Sequence, residues 1–213
     1  MGIKIISFDV DGTLVDQRFN DIIWEEEIPR QVAMIRGWDF EQAKDYVLRE
    51  YSRIGDKDIR WYDINYWLKK FGISSPARDI LKKWEKEIRV YPDVLPTLTR
   101  LRERFKLIII TCMPRIFLDE KIHTFSHLFE RVFSTISDFK EVKSPSLYRR
   151  IAQILGVPPG DILHIGDHPV LDVAFSREAG YRSLLISRNG KREGALETLE
   201  EVWSCAEIDN SHH

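Results

Sequence analysis

Cysteine is nearly absent: the 213-residue chain holds two, Cys112 and Cys205. Two thiols make no cross-linked framework of the kind that small secreted domains use, and a reducing, cytoplasmic setting is the simpler expectation. No apolar run approaches the roughly 20 residues of a membrane-spanning helix, so no membrane partner is expected. Neither sign of charge is in excess. Lys and Arg number 32 against 34 Asp and Glu, for a formal net charge of -2, which leaves no broad positive field for nucleic acid. Asn and Gln are sparse beside Glu, Lys and Arg, a balance that fits a heat-stable protein. The first apolar run starts at Ile3 and leaves no room ahead of it for a signal peptide. The closing pair His212-His213 is given no weight as a metal site.

What is present suffices for a folded core, with 43% hydrophobic and 31% charged residues. Five short, nearly continuous apolar runs read as strands at 3–8, 106–110, 131–134, 162–165 and 182–186, the pattern of strands covered on both faces. Helical periodicity fills the later gaps at 94–104, 118–129, 145–155 and 170–179. Asp93 is placed as an N-cap, and Gly156 and Gly180 as helix ends. Alternating strands and helices predict an α/β fold with a doubly wound parallel sheet. Residues 16–90 break the alternation. They contain no strand pattern and predict four helices, at 20–36, 39–54, 59–71 and 76–89, with Pro29 kinking or splitting the first. Asp39 with Gln42 resembles a capping box. The expected organisation is a core formed by 1–15 and 91–213, with a small all-α cap of 16–90 inserted after the first strand.

Four elements at strand ends carry candidate chemistry. Asp9-Val10-Asp11-Gly12-Thr13 puts two carboxylates past a buried strand, where burial is costly without a metal, a proton or a hydrogen-bond partner. Ile110-Thr111 ends a strand in a hydroxyl. Lys143 precedes the helix at Pro145. Gly166-Asp167 is followed by Asp172. Ligand sites of parallel sheets form at the carboxyl ends of strands, so all four should meet in one crevice.

In this order and spacing the motifs resemble the haloacid dehalogenase (HAD) superfamily over almost the whole chain, in its phosphatase branch with a helical cap, similar to phosphoglycolate phosphatases. The resemblance implies a Rossmann-like core and Mg²⁺ as cofactor. It implies that Asp9 is the nucleophile, forming an aspartyl-phosphate, and that Asp11 is the acid–base group. Thr111 then binds the phosphoryl group, and Lys143 neutralises both that group and Asp9. The implied metal ligands are Asp9, the backbone carbonyl of Asp11, and Asp167, with Asp172 supporting. Dehalogenase members lack an aspartate at the place of Asp11, which favours phosphoryl transfer. The expected partner is a small phosphorylated substrate, with no nucleic acid and a monomer or homodimer as the working form. A sugar-phosphate mutase is the nearest alternative, and a non-catalytic binding protein a more distant one. Ser144 stands where the family commonly has proline, and Lys140 competes with Lys143 for the lysine role. Cys112 is read as a small buried residue, and His168 is not counted as a ligand. The aromatics of 16–90, Trp61 and Trp67 among them, are read chiefly as a bundle core, with a few lining a pocket. Of the basic cluster Arg49, Arg53, Lys57 and Arg60, one or two are expected to face the crevice and bind an anionic part of the substrate.

Overall fold

The computed structural model describes residues 2–188, 190 and 192–205; the pair His212-His213 lies outside them. Six parallel strands form one sheet in the order β3-β2-β1-β4-β5-β6. They are β1 (Ile5–Phe8), β2 (Lys106–Thr111), β3 (Arg131–Ser134), β4 (Ile162–Gly166), β5 (Arg182–Ile186) and β6 (Ala195–Leu196). The first five meet the sequence expectation; β6 is an addition, a two-residue edge too short to show a pattern. Successive residues of β1 serve opposite faces, as strand geometry requires. Ile6 and Phe8 join a large apolar cluster with Leu98, Leu118 and Val32. Ile5 joins a second cluster with Leu147, Tyr148 and Ile151. Helices therefore cover both faces, which is why the strands read as continuous apolar runs.

β1 lies in the middle, paired to β2 on one side and β4 on the other, with Phe8 opposite both Ile109 and Ile165. The connections leave in opposite directions from this point, the place where α/β sheets open a crevice.

Between β1 and β2 runs the helical insertion. It consists of α1 (Arg18–Asp21), a wider π-helical segment (Ile22–Glu27), α2 (Ile28–Arg36), α3 (Phe40–Ile54), α4 (Ile64–Phe71) and α5 (Ala77–Trp84). Pro29 sits in the first turn of α2, where its missing N–H is tolerated. The wider winding lies just before it, so the chain passes from one helix to the next without a sharp break. The expected helix at 59–71 is split. A short turn at Ile59–Tyr62 ends at Asp63, whose carboxylate caps α4 by accepting from Asn65 N at 2.9 Å. Asp39 caps α3 as expected, accepting from Gln42 N at 2.9 Å.

The remaining helices are α6 (Val94–Leu101), α7 (Arg115–Ile122), α8 (Pro145–Leu155) and α9 (Phe175–Glu178). Asp93 does not cap α6. Its carboxylate instead accepts from Arg188 Nη1 at 2.7 Å and from Leu199 N at 2.6 Å. A cationic partner and a backbone N–H from a distant segment outcompete the local bond.

The two passages into and out of the insertion run side by side. Asp16 N donates to Arg89 O (2.9 Å) and Tyr91 N to Leu14 O (3.1 Å), and Val15 bridges Val90 in antiparallel fashion. No helix among the described residues is long and apolar enough to cross a membrane.

Candidate active site

Asp9 follows the last residue of β1, and its N–H donates to Ile165 O of β4 at 2.9 Å. The turn after it needs Gly12, whose φ is +68°. A Cβ there would also stand 2.7 Å from the carboxyl carbon of Asp167. Gly166 has the matching constraint, since its Cβ would meet Asp172 Cβ at 2.6 Å. These motif glycines exist because the carboxylates crowd the backbone.

The four strand-end elements do converge. Lys143, reached through the β3-to-α8 connection, is buried and donates from Nζ to Asp9 Oδ1 and to Asp172 Oδ1, both at 2.5 Å. Lys140 instead donates to Ser137 O, an exposed contact. Ser144, where proline was the commoner residue, caps α8 by accepting from Leu147 N at 3.2 Å. Thr111 ends β2, is buried, and accepts from Met113 N at 3.2 Å. One oxygen each from Asp9, Asp167 and Asp172 lie within 4.8 Å of one another.

The electrostatics follow from burial. Burial pushes the Asp9 carboxyl up to about 6 against the pull of Lys143. It pushes Asp167 up to about 8, with the charges of Asp9 and Asp172 adding to the effect. Asp167's hydrogen bond is from the Gln17 amide at 3.4 Å. Burial opposes the charge of Asp172 as well, but Lys143 and His164 overcome it and hold this carboxyl well below the ordinary range. For Lys143, burial favours the neutral amine, yet Asp172 and Asp9 raise it well above the ordinary lysine value. Three carboxylates thus share one lysine, a surplus that a divalent cation with a preference for oxygen would balance.

Beneath the site lies a buried network that was not read from the sequence. His164 Nε2 is 3.2 Å from Asp172 Oδ1 and 3.0 Å from the Tyr148 hydroxyl, and its Nδ1 is 2.7 Å from the Ser7 hydroxyl. Burial holds His164 below the usual histidine value. The backbone N–H of His168 donates to Asp172 Oδ2 at 2.9 Å. Its ring Nδ1 accepts from Val170 N and Leu171 N, so it caps the turn at Pro169–Ala174. Cys112 is buried, and burial raises its thiol.

Asp11 faces the other way. Its Oδ2 accepts from Asn20 Nδ2 at 2.5 Å, and its Oδ1 accepts from Lys121. Lys121 also donates to Asn20 Oδ1 at 2.8 Å, and its side chain is fully buried. It was missed, though a signal was present. It shares one face of α7 with Phe117, Leu118 and Ile122, all buried, and a lysine on an apolar helix face needs a buried partner.

Over the carboxylates opens a cavity of about 680 Å³, within the range of small-molecule sites. Asp9, Asp11, Thr111, Lys143, Asp167 and Asp172 all line it. Rings from the insertion line it too, including Trp61, whereas Trp67 is buried in the helical core. The expected anion-binding role of the basic cluster is not met: Arg49, Arg53, Lys57 and Arg60 are not among the lining residues. Arg53 pairs with Glu50, and Arg60 with Asp58 at 2.6 Å. Each has a carboxylate close by in its own segment.

The family description of haloacid dehalogenase-like hydrolases matches residues 3–180. A glyceraldehyde 3-phosphate phosphatase of Methanopyrus kandleri is 28% identical over 224 residues, 97% of this chain and 93% of that one. An enolase-phosphatase E1 of Citrobacter koseri is 33% identical over 215 residues, 91% of each. A solved HAD phosphatase from Thermococcus onnurineus superposes with a TM-score of 0.85 at 26% identity, covering 95% of this chain and 97% of that one.

Proposed function

Because the chain belongs to the haloacid dehalogenase-like hydrolases, we propose that it is a Mg²⁺-dependent phosphatase acting on a small phosphorylated metabolite through an aspartyl-phosphate on Asp9. The observation that carries this reading is the floor of the cavity. There Lys143 bridges Asp9 and Asp172 at 2.5 Å each, with an Asp167 oxygen in the same cluster. Residues 16–90 serve as the cap over this floor.

The oxygen-rich set of Asp9, Asp167 and Asp172 would hold Mg²⁺, with the Asp11 carbonyl beside it. The bound cation would offset the repulsion between the nucleophile and an anionic phosphate. The chain's own groups perform the rest. An Asp9 oxygen attacks phosphorus while the bond to the ester oxygen breaks. Lys143, already positioned on Asp9, balances the negative charge that gathers there. Thr111 offers its hydroxyl to the transferring group. Asp11 gives its proton to the leaving oxygen, and as a carboxylate takes one from the water that next attacks phosphorus, releasing phosphate and free Asp9. Both Asp11 oxygens are engaged in this structure, so donation requires that the Lys121 or Asn20 bond be released as substrate enters. Asn20 lies at the start of the insertion, so cap movement and this release would be linked.

Asp9→Asn tests the reading. It keeps the shape and removes the nucleophile. A screen of phosphorylated metabolites with Mg²⁺ is expected to show turnover and a labelled phosphoenzyme for the wild type, and neither for Asp9→Asn. Turnover in that variant close to wild type would refute the mechanism.

A further inference from the structure

The wall that the insertion adds to the cavity differs from the floor. Trp24 stacks on Phe117 of α7 with ring centres 5.6 Å apart and planes 17° from parallel. Tyr51 sets its edge against Trp24 at 5.7 Å and against Trp61 at 6.0 Å. All four rings line the cavity and form one connected aromatic cluster, with Tyr51 and Phe117 buried and Trp24 and Trp61 partly exposed. Elsewhere the protein covers its rings with its own cations: Arg36 lies over Trp38 and Tyr46, and Arg188 over Tyr91 at 4.3 Å. Among the described residues no such cation lies over the four rings of the wall.

The charges on this wall are of one sign. The insertion contributes the carboxylates of Asp21, Glu25 and Asp56, and among the described residues no lysine or arginine of the insertion lines the cavity. Glu25 has Lys44 at 3.5 Å, whereas Asp21 and Asp56 have no ion pair among the described residues. Among the described residues the one lysine lining the cavity, Lys143, is committed to the floor.

We infer that the alcohol released from the substrate presents a broad apolar or planar face to the Trp24–Phe117 wall and carries no negative charge, its outer end being neutral or cationic. The inference rests on the phosphatase reading and narrows it. A second phosphoryl group or a carboxylate on the leaving alcohol would sit beside three carboxylates, with no uncommitted lysine or arginine among the described lining residues to pair it. An ammonium group there would meet carboxylates and the partly exposed rings of Trp24 and Trp61, the combination that binds organic cations.

A matched series tests this: benzyl phosphate, 4-carboxybenzyl phosphate and 4-(aminomethyl)benzyl phosphate, which share one scissile bond and one ring. With Mg²⁺, kcat/KM for the carboxy ester is expected to fall at least about tenfold below benzyl phosphate, and salt should narrow the gap. The aminomethyl ester is expected to equal or exceed benzyl phosphate. Asp21 and Glu25 are exposed, so the double variant Asp21→Asn, Glu25→Gln should fold. In it the gap is expected to shrink to about threefold. The inference is overturned if the carboxy ester matches benzyl phosphate, if the aminomethyl ester is the poorest, or if the double variant leaves the gap unchanged. It is also overturned if all three are inert while p-nitrophenyl phosphate is hydrolysed. Failure of p-nitrophenyl phosphate as well would overturn the phosphatase reading and the inference with it.

Discussion

A single buried lysine decides how Asp11 is presented. Lys121 has no exposed surface on its side chain, and its ammonium is shared between Asp11 and Asn20. Lys121→Met keeps the length and apolar stem but leaves Asp11 with Asn20 alone. If Asp11 is the proton donor, the loss should depend on how much the leaving group needs a proton. For an alkyl phosphate kcat is expected to fall by roughly 10²-fold, the usual worth of a positioned acid. For p-nitrophenyl phosphate, whose phenolate leaves readily, the fall should be much smaller, and KM should move little for either. Equal losses on both substrates would show a structural effect instead. The residue types at Asp9, Asp11, Thr111, Lys143, Asp167 and Asp172 were legible from the sequence, because motif order and strand ends pointed to one crevice. Lys121, Asn20 and His164 were not. Lys121 acts through Asp11, 110 positions away, and local pattern does not encode such a partner. Asn20 and His164 lie nine and eight positions from Asp11 and Asp172, but a single amide on a helix or imidazole on a buried strand carries no pattern that marks the contact.

Among the elements, the insertion shows how one buried charge joins helices that are distant in sequence. Glu27 ends the π-helical segment and accepts from Lys83 Nζ at 2.8 Å, from Trp84 Nε1 at 3.2 Å and from Gln31 Nε2 at 3.0 Å. Lys83 and Trp84 belong to α5, so the carboxylate ties the π-helical segment near the start of the insertion to the helix near its end. Burial would raise the Glu27 carboxyl, but the bonds from Lys83, Gln31 and Trp84 outweigh it and leave it below the ordinary glutamate value. A group whose folded value is depressed contributes stability that is present above the unfolded value and lost as pH falls through the folded one. Glu27→Gln is therefore expected to lose about 2 kcal/mol near neutral pH, the scale of hydrogen bonds to a charged group. In denaturant melts the difference from wild type should close as pH drops below about 4. A difference independent of pH would mean that packing, not charge, is responsible. The helices themselves were legible from periodicity, and Pro29 marked the division of the first, while the break at Asp63 and the π-helical winding ahead of Pro29 were not. The first arises where the Asp63 cap starts a new helix, and the second lies directly against Pro29.

Across the whole molecule, folding gathers negative charge that the chain keeps apart when unfolded. Asp9, Asp167 and Asp172 meet only when β1 and β4 pair, and Asp167 is then raised to about 8. A carboxyl raised on folding opposes stability once it ionises, so in chelator-treated protein this term should weaken the fold as pH climbs from about 4 toward 8. Asp167→Asn is expected to raise the metal-free midpoint at neutral pH. Mg²⁺ should stabilise the wild type, by about 2.7 kcal/mol at a hundredfold excess over Kd, and the variant much less. Melts of both proteins with and without Mg²⁺ check this; a variant that gains as much as the wild type would exclude Asp167 as a ligand. The sequence by itself determined the alternation of strand and helix, the placement of an all-helical insertion after β1, and the identity of the strand-end side chains. Apolar periodicity and motif spacing are local properties of a chain, and these features depend on little else. Only the tertiary structure decided that Lys143 rather than Lys140 reaches Asp9, that Lys121 holds Asp11, and that the basic residues near Gly55 stay outside the cavity. Those outcomes depend on which side chains the assembled fold leaves within about 3 Å of each other. Distance in space, not in sequence, sets electrostatic and hydrogen-bond energy, and it is the paired strands and packed helices that establish that distance.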